Sequence, residues 1–261
     1  MDWAAQYGHL AMVQYLHASR TEGCTKQAMN FAACNGHLDV VRFLHENRRE
    51  GCSRFAMNSA AEFGHVDVVS FLLQHRREGC SRQAMDKAAR NGHLAVVQLL
   101  HTYGTVGCST QAMDGAARNG HMEIVQFLHE HRAEGCTAWA VNLAAQNGHL
   151  DIVQFLRTNR RCARRGSWTK LPRMVTWTSS STCTATFLGA TYGGGCTTEA
   201  MDGAAANGHF DVVKYLHTHL IEGCTSFALD RARRRGHTQI VDYLVNHRAV
   251  LGLADDERHP N

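Results

Sequence analysis

The stretch Ala116-Ala117-Arg118-Asn119-Gly120-His121-Met122-Glu123-Ile124-Val125-Gln126-Phe127-Leu128-His129 decides the architecture, because versions of it recur from Met1 almost to the end of the chain. Its Gly-His pair returns at Gly8-His9, Gly36-His37, Gly64-His65, Gly92-His93, Gly148-His149, Gly208-His209 and Gly236-His237. The step, as from Gly36 to Gly64, is 28 residues. A fixed step of this size marks stacked repeats, each burying its apolar face against its neighbours.

Working outward, Cys24 to Gly51 serves as a template. Thr25, matched by Ser53, Ser81, Ser109, Thr137, Thr197 and Thr225, is a helix N-cap whose hydroxyl accepts from a free backbone N–H. A first helix is expected from there to about Asn35, where Gly36 supplies the left-handed residue that ends helices cheaply. A second helix starts near His37 and ends near His45, with Asp39, Asp67, Asp151 and Asp211 at the positive end of its dipole. Glu46 to Gly51 reads as a polar return loop. Ala28, Met29, Ala32 and Ala33 share one helical face and form the core, joined by Leu38, Val40, Val41, Phe43 and Leu44 of the second helix.

The chain has 261 residues, 44% of them hydrophobic, so it can bury a long core. No apolar run is long enough to cross a bilayer, and Met1-Asp2-Trp3-Ala4-Ala5 lacks the build of a signal peptide. A cytoplasmic or nuclear location is the expectation. The formal charge of +4 reads as spread through Arg- and Glu-bearing loops, which gives little reason to expect a nucleic-acid partner. Seven cysteines (Cys24, Cys52, Cys80, Cys108, Cys136, Cys196, Cys224) occupy one repeat position. Stacked helices lie about 8–10 Å apart, and a disulfide needs Cα atoms within about 7 Å. Reduced, buried thiols acting as small hydrophobes follow, and neither metal nor cofactor is expected. The Gly-His imidazoles recur once per repeat, so the repeat itself explains them. No residue peculiar to one place stands out as catalytic.

At Ala32-Ala33-Cys34-Asn35-Gly36-His37-Leu38-Asp39-Val40-Val41-Arg42-Phe43-Leu44 the chain resembles the ankyrin repeat family, through the pattern Ala-Ala-x-x-Gly-His-x-x-x-Val-x-x-Leu. Segments such as Gln27-Ala28-Met29-Asn30 replace the family's Thr-Pro-Leu-His, and the step is shorter than the family's about 33 residues. The resemblance implies an all-α, ankyrin-like helix-turn-helix solenoid with β-hairpins reduced or absent, a curved stack that recognises other proteins without catalysis. No small-molecule substrate and no membrane are implied.

The next Gly-His after Gly148-His149 falls due near Thr176, where the chain reads Met174-Val175-Thr176-Trp177-Thr178-Ser179-Ser180-Ser181-Thr182-Cys183-Thr184. Back-translated and shifted by one base, the run from Ser167 to Ala185 can encode Met-Asp-Glu-Ala-Ala-Gln-Asn-Gly-His-Leu-Asp-Val-Val-Gln-Tyr-Leu-His. Arg161 to about Phe187 therefore reads as one repeat out of frame. The organisation expected is repeats over 1–157, a disrupted and poorly ordered repeat over 158–195, two further repeats over 196–253 and a frayed tail over 254–261. A segment without a core face would leave two separate short stacks. Met1 aligns with Met29, so the first repeat lacks its cap, and the true start is expected upstream. Arg231, Arg233, Arg234, Arg235 and Thr238 look like a closing cap.

Positions that vary between repeats are expected to face outward from the first helices. They are Gln27, Asn30, Phe31 and Cys34, then the trios Phe55, Ser59, Glu62; Gln83, Lys87, Arg90; Gln111, Gly115, Arg118; Trp139, Leu143, Gln146; and Phe227, Arg231, Arg234. Phe31, Phe55, Glu62, Lys87, Arg90, Arg118, Trp139, Leu143, Gln146, Arg231 and Arg234 are the candidate partner-binding residues, since exposed aromatic and Arg groups anchor protein interfaces. Three alternatives stand beside a protein-interaction scaffold: a metal- or redox-responsive Cys/His protein, a basic nucleic-acid-binding repeat, and a decayed gene copy without function.

Overall fold

The computed structural model describes residues 1–19, 23–104, 107–159, 198–219 and 224–247. Among them lie sixteen α-helices and no strand, arranged as successive pairs. The pairs are α1 (Asp2–Gln6) with α2 (Leu10–Ser19), α3 (Lys26–Cys34) with α4 (Leu38–Asn47), α5 (Arg54–Glu62) with α6 (Val66–His75), and α7 (Arg82–Arg90) with α8 (Leu94–Thr102). They continue as α9 (Thr110–Arg118) with α10 (Met122–His131), α11 (Ala138–Gln146) with α12 (Leu150–Thr158), α13 (Thr198–Asn207) with α14 (Phe210–His219), and α15 (Ser226–Arg234) with α16 (Thr238–Asn246).

α3, α5, α9, α11 and α15 start on hydroxyl caps: Thr25 Oγ1 accepts from Gln27 N–H at 3.1 Å and Thr137 Oγ1 from Trp139 N–H at 3.2 Å. Each first helix then packs closely on the first helix of the next repeat, whereas successive second helices touch lightly. The cause is side-chain size. Ala28, Ala32 and Ala33 and their counterparts are fully buried between first helices and let the backbones approach, while Val40, Val41 and Leu44 hold the second helices further apart. Unequal spacing of the two rows bends the stack toward the first-helix side.

The Gly-His pair is a contact between repeats. Gly36 has φ +79°, and a Cβ on it would lie 2.6 Å from His65 Nδ1 of the following repeat. The His65 ring thus lies in the space that glycine leaves free, and its Nε2 is 3.0 Å from the Cys34 carbonyl. Two further ladders tie neighbours together. Asp114 accepts at 2.8 Å from both the N–H and the hydroxyl of Thr137, as Asp86 does from Ser109 and Asp202 from Thr225. Asn119 Nδ2 donates to the Arg90 carbonyl at 2.7 Å, and Asn35, Asn91, Asn147 and Asn207 repeat the bond to the repeat before each of them.

The first of these ladders corrects the outward-facing set. Asn30 is buried and accepts from the Ser53 N–H at 2.9 Å, so it belongs to the capping ladder and not to the surface. Ser59 and Gly115 are buried as well.

The expectation of two separate stacks is also corrected. α13 packs directly on α11, Asn207 Nδ2 donates to the Gln146 carbonyl at 2.7 Å, and a Cβ on Gly148 would lie 2.5 Å from His209 Nδ1. The repeat that begins at Thr198 takes the seat of the unit immediately after α12, and the described pairs make one stack. The out-of-frame reading over Arg161 to Phe187 and the tail over 254–261 lie outside the described residues.

Candidate functional site

The outer side of the first-helix row carries most of the candidate residues, and their surroundings differ. Trp139 is 59% exposed and Phe55 is 48% exposed, despite both being large apolar groups. Arg90, Arg118, Gln146, Arg231 and Arg234 are exposed; Phe31, Glu62, Lys87 and Leu143 are half-buried. Phe31 and Phe55 meet edge to face with centroids 6.3 Å apart, Lys87 Nζ lies 2.6 Å from Glu62 Oε2, and the Arg231 guanidinium stands 5.9 Å from the Phe227 ring centroid.

Glycines set how the row is packed. A Cβ on Gly115 would lie 3.0 Å from Arg90 Cβ, and one on Gly203 would lie 3.2 Å from Gln146 Cβ. α9 and α13 can therefore settle against the stems of Arg90 and Gln146, and the polar ends stay in solvent. The outward trios omit Phe63, the exposed C-cap of α5, and Arg54 and Arg82, which are exposed on the first helices themselves. Their signal in the sequence is the basic residue that follows the cap at Lys26, Arg54 and Arg82.

Charge on the helices differs between the two rows. Lys26, Arg54, Arg82, Lys87, Arg90, Arg118, Arg231, Arg233 and Arg234 lie on first helices. The second helices carry Asp39, Glu46, Asp67, Glu123, Glu130, Asp151, Asp211 and Asp242 against Arg42, Arg157 and Lys214. The acids of the first helices include Asp86, Asp114 and Asp202, which point between repeats into the capping ladder. Asp2, Glu62, Glu199 and Asp230 also lie on first helices, so among the described residues that row is close to balanced while the second-helix row is acidic.

The return loops are bracketed by ion pairs. Arg48 pairs with Glu50, Arg76 with Glu78, and Arg132 with Glu134 at 2.5 Å. The hydrogen bond from Arg48 pulls the Glu50 carboxyl down to about 2. Burial alone would raise Glu78 and Glu134, but the bonds from Arg76 and Arg132, with the loop N–H groups, hold both below the usual range.

The cysteine column offers little chemistry. Cys24, Cys52, Cys80, Cys108, Cys136 and Cys224 are unbridged, and burial pushes Cys52 and Cys108 up to about 11 and Cys224 up to about 12. These thiols stay protonated and poorly nucleophilic at neutral pH. Among the described residues no three His, Cys, Asp or Glu side chains come together as a set of metal ligands, and no helix is long and apolar enough to cross a membrane.

Comparison with known proteins agrees with this geometry. A family model described as ankyrin repeats (3 copies) matches residues 1–86, 29–114 and 85–164. Among solved structures, the human ASB11 ankyrin repeat domain is similar, with a TM-score of 0.51 and 16% sequence identity, over 63% of this chain and 85% of that one. That likeness speaks to the fold alone. No curated protein matches. Ankyrin repeats generally serve as protein-interaction modules without catalysis of their own. With repeat units matched over more than half its length and a solenoid of helix pairs in its structure, the chain belongs to the ankyrin repeat family.

Proposed function

We propose that this protein is a non-catalytic scaffold that binds a partner protein on the outer face of its first helices. The observation that carries the reading is the solvent position of Trp139, whose ring lies on the same helix row as Phe55, Arg90 and Arg118. A large exposed indole has the chemistry of an interface anchor. The scaffold beneath it is fixed by three inter-repeat ladders, so the row is presented as a rigid strip and loses little entropy on binding.

The redox alternative draws no support from the high thiol pKa values. The unbridged cysteine column supports a reducing compartment, cytoplasmic or nuclear.

The test compares the wild-type chain with Trp139→Ala in capture of proteins from a cell extract, with thermal unfolding measured in parallel. The expected result is that captured partners are lost while the melting temperature holds. Equal retention of every captured protein would remove Trp139 from the site, and loss of both properties would make it a packing residue.

A further inference from the structure

The polarity of the stack bears on what the partner presents, given the interaction reading above. Arg90 and Arg118 occupy the same position in adjacent repeats, and both are exposed. Among the described residues no carboxylate pairs with either, while nearby Lys87 is already neutralised by Glu62. In the following repeat the same position is Gln146, and Trp139 lies at the other end of that helix, about 10 Å away along its axis. The opposite, second-helix row is acidic, so an acidic ligand is drawn to these two arginines and repelled from the far side.

Spacing narrows the choice further. Successive packed helices lie about 8–10 Å apart, and an extended chain advances about 3.3 Å per residue. Every third residue of an extended peptide laid along the stack therefore advances by one repeat. Arginine suits a carboxylate better than lysine does, because its planar fork takes both oxygens. Glu62 and Gln146 flank the two arginines at the same repeat position, so the cations end there. That pattern fits a short acidic peptide, whereas a phosphate backbone needs a continuous cationic track.

We propose that the partner segment is an extended, acidic stretch of polypeptide in which two carboxylates three residues apart meet Arg90 and Arg118.

The experiment measures fluorescence anisotropy of labelled probes with the full chain. The probes are a peptide of the form Glu-x-x-Glu with serine spacers, its Gln-for-Glu counterpart, a version with the two glutamates adjacent, and a single-stranded oligonucleotide. The spaced Glu peptide should bind at least about tenfold more tightly than the Gln and adjacent-Glu peptides, and should weaken as salt rises. R90E/R118E should abolish that preference, and a Lys-x-x-Lys peptide should recover binding to this variant, which shows that the variant is folded. R42E, on the opposite row, should change nothing.

Equal binding of the Glu and Gln peptides overturns the proposal, and so does tighter binding of the oligonucleotide that R90E/R118E removes. If acidic peptides fail while Trp139→Ala still releases captured proteins, the acidic-segment proposal falls and the interaction reading stands. If Trp139→Ala releases nothing, Trp139 leaves the site, and if the full chain captures no protein at all, the interaction reading fails separately.

Discussion

Gly36 answers to two demands at once, a positive φ and an imidazole from the next repeat in the space its missing side chain would fill. Gly36→Ala should cost about 2 kcal/mol or more, because the left-handed backbone disfavours a Cβ and the His65 ring must move. A lower urea midpoint at unchanged helix content by circular dichroism would show it. The recurrence of Gly-His was plain in the sequence, but its reason was not, since the ring reaches back to the preceding repeat and not to its own turn. Asn30 was misread for a related cause. Its column alternates Asn and Asp, as at Asn58, Asp86 and Asp114, and that looks like free variation until the shared side-chain oxygen is seen capping the next helix. Phe63 shows the converse. It stands 55% exposed where Asn91, Asn119 and Asn147 donate to a carbonyl of the preceding repeat. Phe63→Asn should supply the missing bond and stabilise the fold by about 0.5–1.5 kcal/mol, read as a raised melting temperature.

At the scale of the element, the helices were legible almost residue by residue, because hydroxyl cap, alanine face and glycine stop recur in every unit. The expected first helix ending near Asn35 is α3, closing at Cys34 with Asn35 as its cap, and the loop begins after Asn47. The loops were legible only as polar connections. Their ordered content is the pairing of Arg48, Arg76 and Arg132 with Glu50, Glu78 and Glu134, each lying over a glycine of the preceding turn such as Gly51, whose φ is +72°. A carboxyl whose pKa is lowered on folding contributes stability above its unfolded value and loses it in acid. For Glu50 the window runs from the ordinary 4.5 down to about 2. Stability should fall as the pH is lowered through that window, and the triple variant E50Q/E78Q/E134Q should fall less steeply over the same range. Parallel slopes for the two proteins in urea titrations would show that the pairs contribute nothing.

Across the whole molecule, periodicity alone revealed the solenoid, and curvature follows from small residues on one row and branched ones on the other. What the sequence could not show was which unit sits on which. Loss of the repeat pattern near Thr176 suggested a break, yet α13 seats on α11 through the same asparagine bond and glycine-imidazole contact used elsewhere. The ends differ too. Arg233 stands exposed where Ala33, Ala61 and Ala89 are wholly buried, and Met12 is 50% exposed where Val40 and Val68 are buried. The interface between units is a standard coupling, the same on every copy. In hereditary terms, a gene built this way can gain or lose whole units of 28 codons and still encode a protein whose seams all match. Damage confined to one unit is then survivable, because the next unit carries everything needed to rejoin the one before it.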